Sequence, residues 1–210
     1  MKSNFILILS IALLSSCAVS RKVDYESVRA NLPEYKQQIA VACWDQREQV
    51  LSGARKTDFV GYMRSGVGIA YPMGTESGRP LTDIMASDLA ESFKTKGGSS
   101  TVVLTQSSDK ETLILEKLRK TKNNRLVLVD CRQFHTDGYG EISLMYNLNL
   151  LIYSEQGSKI IEKNFKGSKV IGGSVAWGAG KYKQYIPEAF KKLMEEIFND
   201  PEIQRAIQGH

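Results

Sequence analysis

Histidine and tryptophan are scarce in this chain, two of each among 210 residues, beside three cysteines and five prolines. That scarcity excludes several chemistries. No C-x-x-C pair is present, and His135 is the only histidine near a cysteine in sequence, the other being His210. A zinc centre draws on about four such ligands, so no metal is expected. No glycine-rich loop ends in Gly-Lys-Ser or Gly-Lys-Thr; Gly180-Lys181 is followed by Tyr182. Gly66-x-Gly68 lacks the third glycine of a dinucleotide fingerprint. Neither Gly97-Gly98-Ser99 nor Gly172-Gly173-Ser174 makes a G-x-S-x-G nucleophile elbow. No cofactor is expected and no catalytic motif stands out. Charge of one sign is also not concentrated. Lys and Arg number 28 against 23 acids, for a formal charge of +5, and they are scattered. Nothing resembles a nucleic-acid-binding block.

What is present begins at the N-terminus. Lys2 precedes an apolar run from Phe5 to Leu14, followed by Ser15, Ser16 and Cys17. A positive start, a short apolar stretch and small residues make a secretory signal. The run is too short for a mature membrane span, which needs about 20 apolar residues. Leu14-Ser-Ser-Cys17 reads as a lipobox, so Cys17 is expected to carry acyl chains and to hold the protein at a membrane. Ala18, rather than Asp, follows the cysteine and points to the periplasmic face of the outer membrane rather than the inner membrane. Residues 1–17 then form a lipoprotein signal peptide, 18–38 a polar tether, and 39–210 one domain.

Within that domain, Ile39–Trp44 is a compact apolar run that fits a buried strand. Residues 66–80 are rich in glycine and proline and read as an irregular loop. Leu81, Ile84, Met85, Leu89 and Phe93 lie on one stripe of a helix over 81–96, stopped by Gly97-Gly98. Thr101–Thr105 reads as a strand. Ser108 and Glu111 suggest a capping box for a helix to Lys120. Arg125–Phe134 reads as a strand, and Asp137-Gly138 as the turn after it. Alternation from Ile142 to Ile152 predicts a long half-buried strand. Lys159–Val170 returns as a polar strand near a sheet edge. A second glycine-rich loop over 172–180 leads to a helix over Tyr182–Phe198, and Pro201 starts a short one. The expected class is α+β: a mixed or antiparallel sheet with amphipathic helices packed on it.

Few residues suggest a site. Asp45-Gln46-Arg47 follows the buried strand directly, with Asp45 on the side of Val41 and Cys43. A carboxylate there needs a partner. The cluster is either a ligand- or partner-binding corner or an ion pair that locks the loop, and structural pairing is the commoner arrangement. His135, with Asp137 and Asp130, is compatible with a hydrolase, though such residues are also common in exposed turns. Tyr62, Tyr71, Trp177, Tyr182 and Tyr185 accompany the two glycine loops. Cys43 and Cys131 form an even pair in an oxidising compartment, but their apolar surroundings favour two separate buried thiols over a bridge.

The lipobox, the strand ending in Asp45-Gln46-Arg47, the helix ending near Gly97-Gly98, the long strand over 141–153 and the C-terminal helix carry a resemblance. The sequence resembles the YajG-like bacterial lipoproteins, differing from their shorter members in its glycine-rich segment over 61–80. The resemblance implies a lipid-anchored α+β domain in a Gram-negative envelope and supplies no catalytic residues. The expected function is non-catalytic: binding of another envelope protein or a cell-wall component. The alternatives are a glycan or small-molecule binder using Asp45–Arg47 and the glycine-rich loops, or a hydrolase using His135.

Overall fold

The computed structural model describes residues 21–173 and 182–209. The lipobox with Cys17, most of the second glycine-rich loop with Trp177, and His210 lie outside the described residues.

One strand organises the sheet. β6 (Arg125–Tyr139) pairs antiparallel along its length with β7 (Glu141–Ser154), which pairs in turn with β8 (Lys159–Gly172). The opposite edge of β6 is shared by two parallel partners in succession. β2 (Gln38–Asp45) runs beside it from Ile39↔Arg125 to Asp45↔Cys131. β3 (Phe59–Arg64) takes over from Gly61↔Thr136 to Met63↔Gly138. β5 (Ser99–Val102) extends the sheet beyond β2, and β4 (Ala70–Thr75) extends it beyond β3. β1 (Lys22–Val23) lies parallel to β4. The α+β class holds, with a mixed sheet.

Each face explains a sequence pattern. On one face, α2 (Leu81–Lys94), α4 (Tyr182–Phe198) and α5 (Pro201–Gln208) bury the main core. On the other, α3 (Glu111–Arg119) covers Ala40, Ala42, Leu126, Leu128, Leu151 and Tyr153. β2 is therefore buried on both sides, which is why it reads as a continuous apolar run. α3 reaches only the half of the sheet holding β2. The other half, over residues 132–147, has one face that α3 does not reach; the short helix α1 (Glu48–Leu51) borders it beside His135 and Asn147. There the strands alternate strictly.

Several expectations are corrected. The stretch read as a tether is, from Arg21 onward, a strap across the main core: Val23, Tyr25, Ala30, Leu32 and Tyr35 are buried. Tyr25 meets Phe134 and Phe190 edge to face, and the Tyr35 hydroxyl donates to the Phe198 carbonyl at 2.8 Å. Burying each such side chain contributes about 1.5–3 kcal/mol, more than ordering the strap costs per residue. The glycine-rich segment over 66–80 contains β4, with only 65–69 forming the hairpin turn. Ser108 caps nothing; Lys110 stands at the N-cap of α3 without a side-chain bond, and Asp109 instead accepts from the Gln106 N–H and Lys117. Asp137-Gly138 lies inside β6, and the chain turns at Gly140. Cys43 and Cys131 are buried free thiols, as the apolar surroundings suggested. Burial pushes Cys131 up to about 12, so neither a thiolate nor a bridge forms readily there.

Candidate functional site

Where β2 leaves β6 and β3 has not yet joined, the ladder has a gap, and Arg47 fills it. Its Nε donates to Asp45 Oδ1 at 2.8 Å and Nη2 to Oδ2 at 2.7 Å. Nη2 also donates to the Thr57 carbonyl at 3.0 Å, and Nη1 to the carbonyls of Phe59 and Phe134. A guanidinium has five N–H donors, and all five are used. Both side chains are 3% exposed. Burial pulls the Arg47 guanidinium down, but the bond to Asp45 and neighbouring charge hold it above its ordinary value, so it stays a cation. Gln46 is also committed inward: its N–H donates to the Cys131 carbonyl at 2.9 Å and its amide to Ser107 O at 3.0 Å. The three residues lock the strand junction, and Arg47 has no donor left for a ligand.

The open half of the sheet beyond that junction is a different surface. A register shift between Cys131 and Gln133 changes which residues face outward. After it, Phe134, Thr136 and Gly138 point into the core, while His135, Asp137 and Tyr139 point out. Tyr62 stands beside Asp137 in the parallel ladder, and Met145 opposite His135. Arg64 grips Asp137 through two bonds of 2.7 and 2.6 Å. Arg55 lies over the rings of Tyr62 and Phe59, at 5.3 and 5.7 Å from their centroids. The result is an aromatic and charged plane on rigid strands. Sequence reasoning missed Arg55 and Arg64. Arg64's partner, Asp137, sits on β6 beyond the register shift, and a pair made across a parallel crossover leaves no spacing signal; Arg55 reaches Phe59 and Tyr62 on β3 from the loop before it, at no regular spacing.

His135 belongs to this plane, not to a turn. It packs near Phe59 and Tyr62, at 6.4 and 6.5 Å between ring centroids. Burial lowers its proton affinity, Asp137 partly restores it and Arg47 lowers it further, so the ring is neutral at pH 7. The Asp137 carboxylate that would orient it is held by Arg64. Asp130 instead pairs with Arg132 at 2.8 Å. The histidine thus has no bonded acid to set its tautomer, which the triad arrangement requires. Beside it lies a shallow depression of about 240 Å³ lined in part by Arg132, Gln133 and Asn147. Among the described residues, no three His, Cys, Asp or Glu side chains converge as a metal site.

Gly138 fixes how the core face meets this plane. A β carbon there would stand 1.5 Å from the Tyr182 hydroxyl. Only a bare backbone lets Tyr182, the first residue of α4, dock against β6. Tyr62 and Tyr71 line the β3–β4 hairpin, whereas Tyr182 and Tyr185 open α4 and face the core side.

No protein-family model matches the sequence, and no curated protein matches it. Solved structures do. Protein XCC0632 from Xanthomonas campestris, described under the family model DUF330, aligns over 90% of this chain and 92% of its own, with a TM-score of 0.50 at 12% identity. The hypothetical protein CT253 from Chlamydia trachomatis aligns over 83% and 99%, with a TM-score of 0.45 at 9% identity. Lipoprotein GNA1162 from Neisseria meningitidis aligns over 77% and 99%, with a TM-score of 0.32 at 14% identity. At these identities, the likeness to the Xanthomonas protein is one of fold.

Proposed function

We propose that the chain is a non-catalytic, lipid-anchored envelope protein of the YajG-like kind, held by acyl chains on Cys17 at the periplasmic face of the outer membrane. Its domain presents the half-sheet beyond α3 to another envelope protein or to a cell-wall component. One observation carries this reading: α3 covers only half of one sheet face and does not reach Tyr62, Arg64, His135, Asp137 and Met145, which stand together on β3, β6 and β7. Aromatic and arginine side chains on such a surface suit recognition. Asp45-Gln46-Arg47 is not used, because its donors are consumed internally. Among the described residues no helix is long and apolar enough to cross a membrane.

The two halves of the proposal are tested separately. Cys17→Ala releases the protein to soluble fractions; a variant that stays membrane-bound refutes the anchor. A photocrosslinker at Met145 in intact cells captures one defined component, and Tyr62→Ala abolishes that capture. Equal capture by a crosslinker at Gln156, on the β7–β8 turn, refutes the half-sheet as the binding face.

A further inference from the structure

Large apolar side chains at the tips of tight turns need an explanation, since exposed turns ordinarily carry polar residues. Two neighbouring turns break that pattern at one end of this sheet. In the β3–β4 hairpin, Val67 is 83% and Ile69 55% exposed; at the β6–β7 turn, Tyr139 is 62% exposed. Val170, near the end of β8 at the same end of the sheet, is 62% exposed. The two turns touch: a β carbon at Gly68 would lie 3.7 Å from Tyr139 Cε2. Val67, Ile69 and Tyr139 form one apolar edge.

The path of the chain says what covers that edge. β1 runs parallel to β4, with the Gly74 N–H donating to the Arg21 carbonyl. β4 starts at Ala70, beside the hairpin turn. The chain therefore enters β1 from the side on which the hairpin tip lies. Arg21 stands near the level of Met73, about 10 Å along β4 from Ala70. Four peptide units separate Arg21 from Cys17, a reach of at most about 14 Å. An acylated Cys17 and the apolar edge can thus lie in one plane. The Arg21 guanidinium sits 4.2 Å above the Tyr71 ring, and a basic group backed by an aromatic suits the headgroup layer.

The geometry points to a lipid-facing edge: Val67, Ile69 and Tyr139 enter the interfacial layer of the membrane beside the Cys17 anchor. This rests on acylation of Cys17. The acyl chains hold the protein, and the edge sets its orientation. The β7–β8 turn over 155–158 then projects about 40 Å away from the bilayer, the length of a 14-residue strand, and the half-sheet stands side-on to it.

The test uses the full acylated protein in vesicles of phosphatidylethanolamine and phosphatidylglycerol. An environment-sensitive fluorophore is placed on Val67→Cys, on Ile69→Cys as a second reporter, and on Gln156→Cys as a control; Cys43 and Cys131 are buried and do not compete for label. Lipids carrying a quencher at the upper acyl chain are expected to quench both hairpin labels and to leave the Gln156 label bright. Mass spectrometry of the same sample reads acylation. Acylated, vesicle-bound protein whose hairpin labels are quenched no more than the control overturns the lipid-facing edge and leaves the anchor standing. Protein without acyl chains that washes off the vesicles overturns both.

Discussion

Replacing Arg47 with Ala removes five hydrogen-bond donors at one point. Asp45, 3% exposed, is left as a buried carboxylate without its cation, and the carbonyls of Thr57, Phe59 and Phe134 lose their donor. Removing one member of a buried ion pair costs about 3–5 kcal/mol. Each carbonyl left dry adds about 1–3 kcal/mol, less wherever water enters from the depression beside His135. The expected loss is at least about 4 kcal/mol, against a total stability of about 5–15 kcal/mol for a domain of this size. Urea unfolding of the unacylated Cys17→Ala form measures it, with Arg47→Ala added in the same background. Arg47→Lys is expected to recover only part of the loss, because an ammonium cannot fork between a carboxylate and three carbonyls. Asp45→Asn combined with Arg47→Met is expected to cost less than Arg47→Ala alone, since no buried charge is stranded. A loss below about 1 kcal/mol for Arg47→Ala, the range of ordinary surface substitutions, refutes the account of the strand junction.

Three other outcomes are expected. Burial raises Asp88 to about 6 from 3.8, despite Arg29 at 3.3 Å. The folded state therefore binds this proton more tightly than the unfolded chain, and Asp88 costs stability that is regained as pH falls from 7 toward 4. Asp88→Asn should raise the melting temperature at pH 8 and not at pH 4. At about 1.4 kcal/mol for each tenfold change in proton affinity, the gain is at most about 3 kcal/mol. Gly138→Ala should displace Tyr182 and loosen the start of α4, costing about 1–3 kcal/mol by overpacking; an unchanged melting temperature refutes the close approach. His135, with its proton affinity lowered, should contribute stability above pH 6.5 that is lost as pH falls from there through its lowered folded-state value, so His135→Asn flattens the acid side of the stability curve.

The helices were legible wherever one stripe of apolar residues meets one core. α2 and α4 start where their periodicity starts, at Leu81 and Tyr182. β2 and β7 were legible from their burial patterns. The strap over 21–37 was not, because an extended segment that bends across helices buries residues at irregular intervals: Val23, Tyr25, Ala30, Leu32, Tyr35. β4 was hidden by Pro72 and its glycines. Proline is tolerated there because β1 pairs only with Gly74 and Thr75, leaving Pro72 on an open edge. Asp137-Gly138 imitated a turn for reasons outside local sequence: Arg64 needs the carboxylate, and Tyr182 needs the missing side chain. The ion pair of Asp45 and Arg47 was anticipated as one of two readings; its carbonyl partners were not, because Thr57 and Phe59 are brought back by an irregular loop and Phe134 comes from a distant strand.

β2 and β3 do not pair with each other. The β3–β4 hairpin is local and can form early, but β2 finds its partners only across long loops, pairing Gln38 with Ser99 of β5 and Ile39 with Arg125 of β6, and only β6 joins β2 to β3. Closing such long loops precedes the contacts that reward it, so the topology favours slow assembly. In amide exchange, the first half of β6 should be the last segment to open, since it is paired on both edges and buried on both faces. If the chain is exported from its N-terminus, as proposed, this delay is useful: the sheet cannot close until β6 has crossed, and the chain stays pliable for most of its passage.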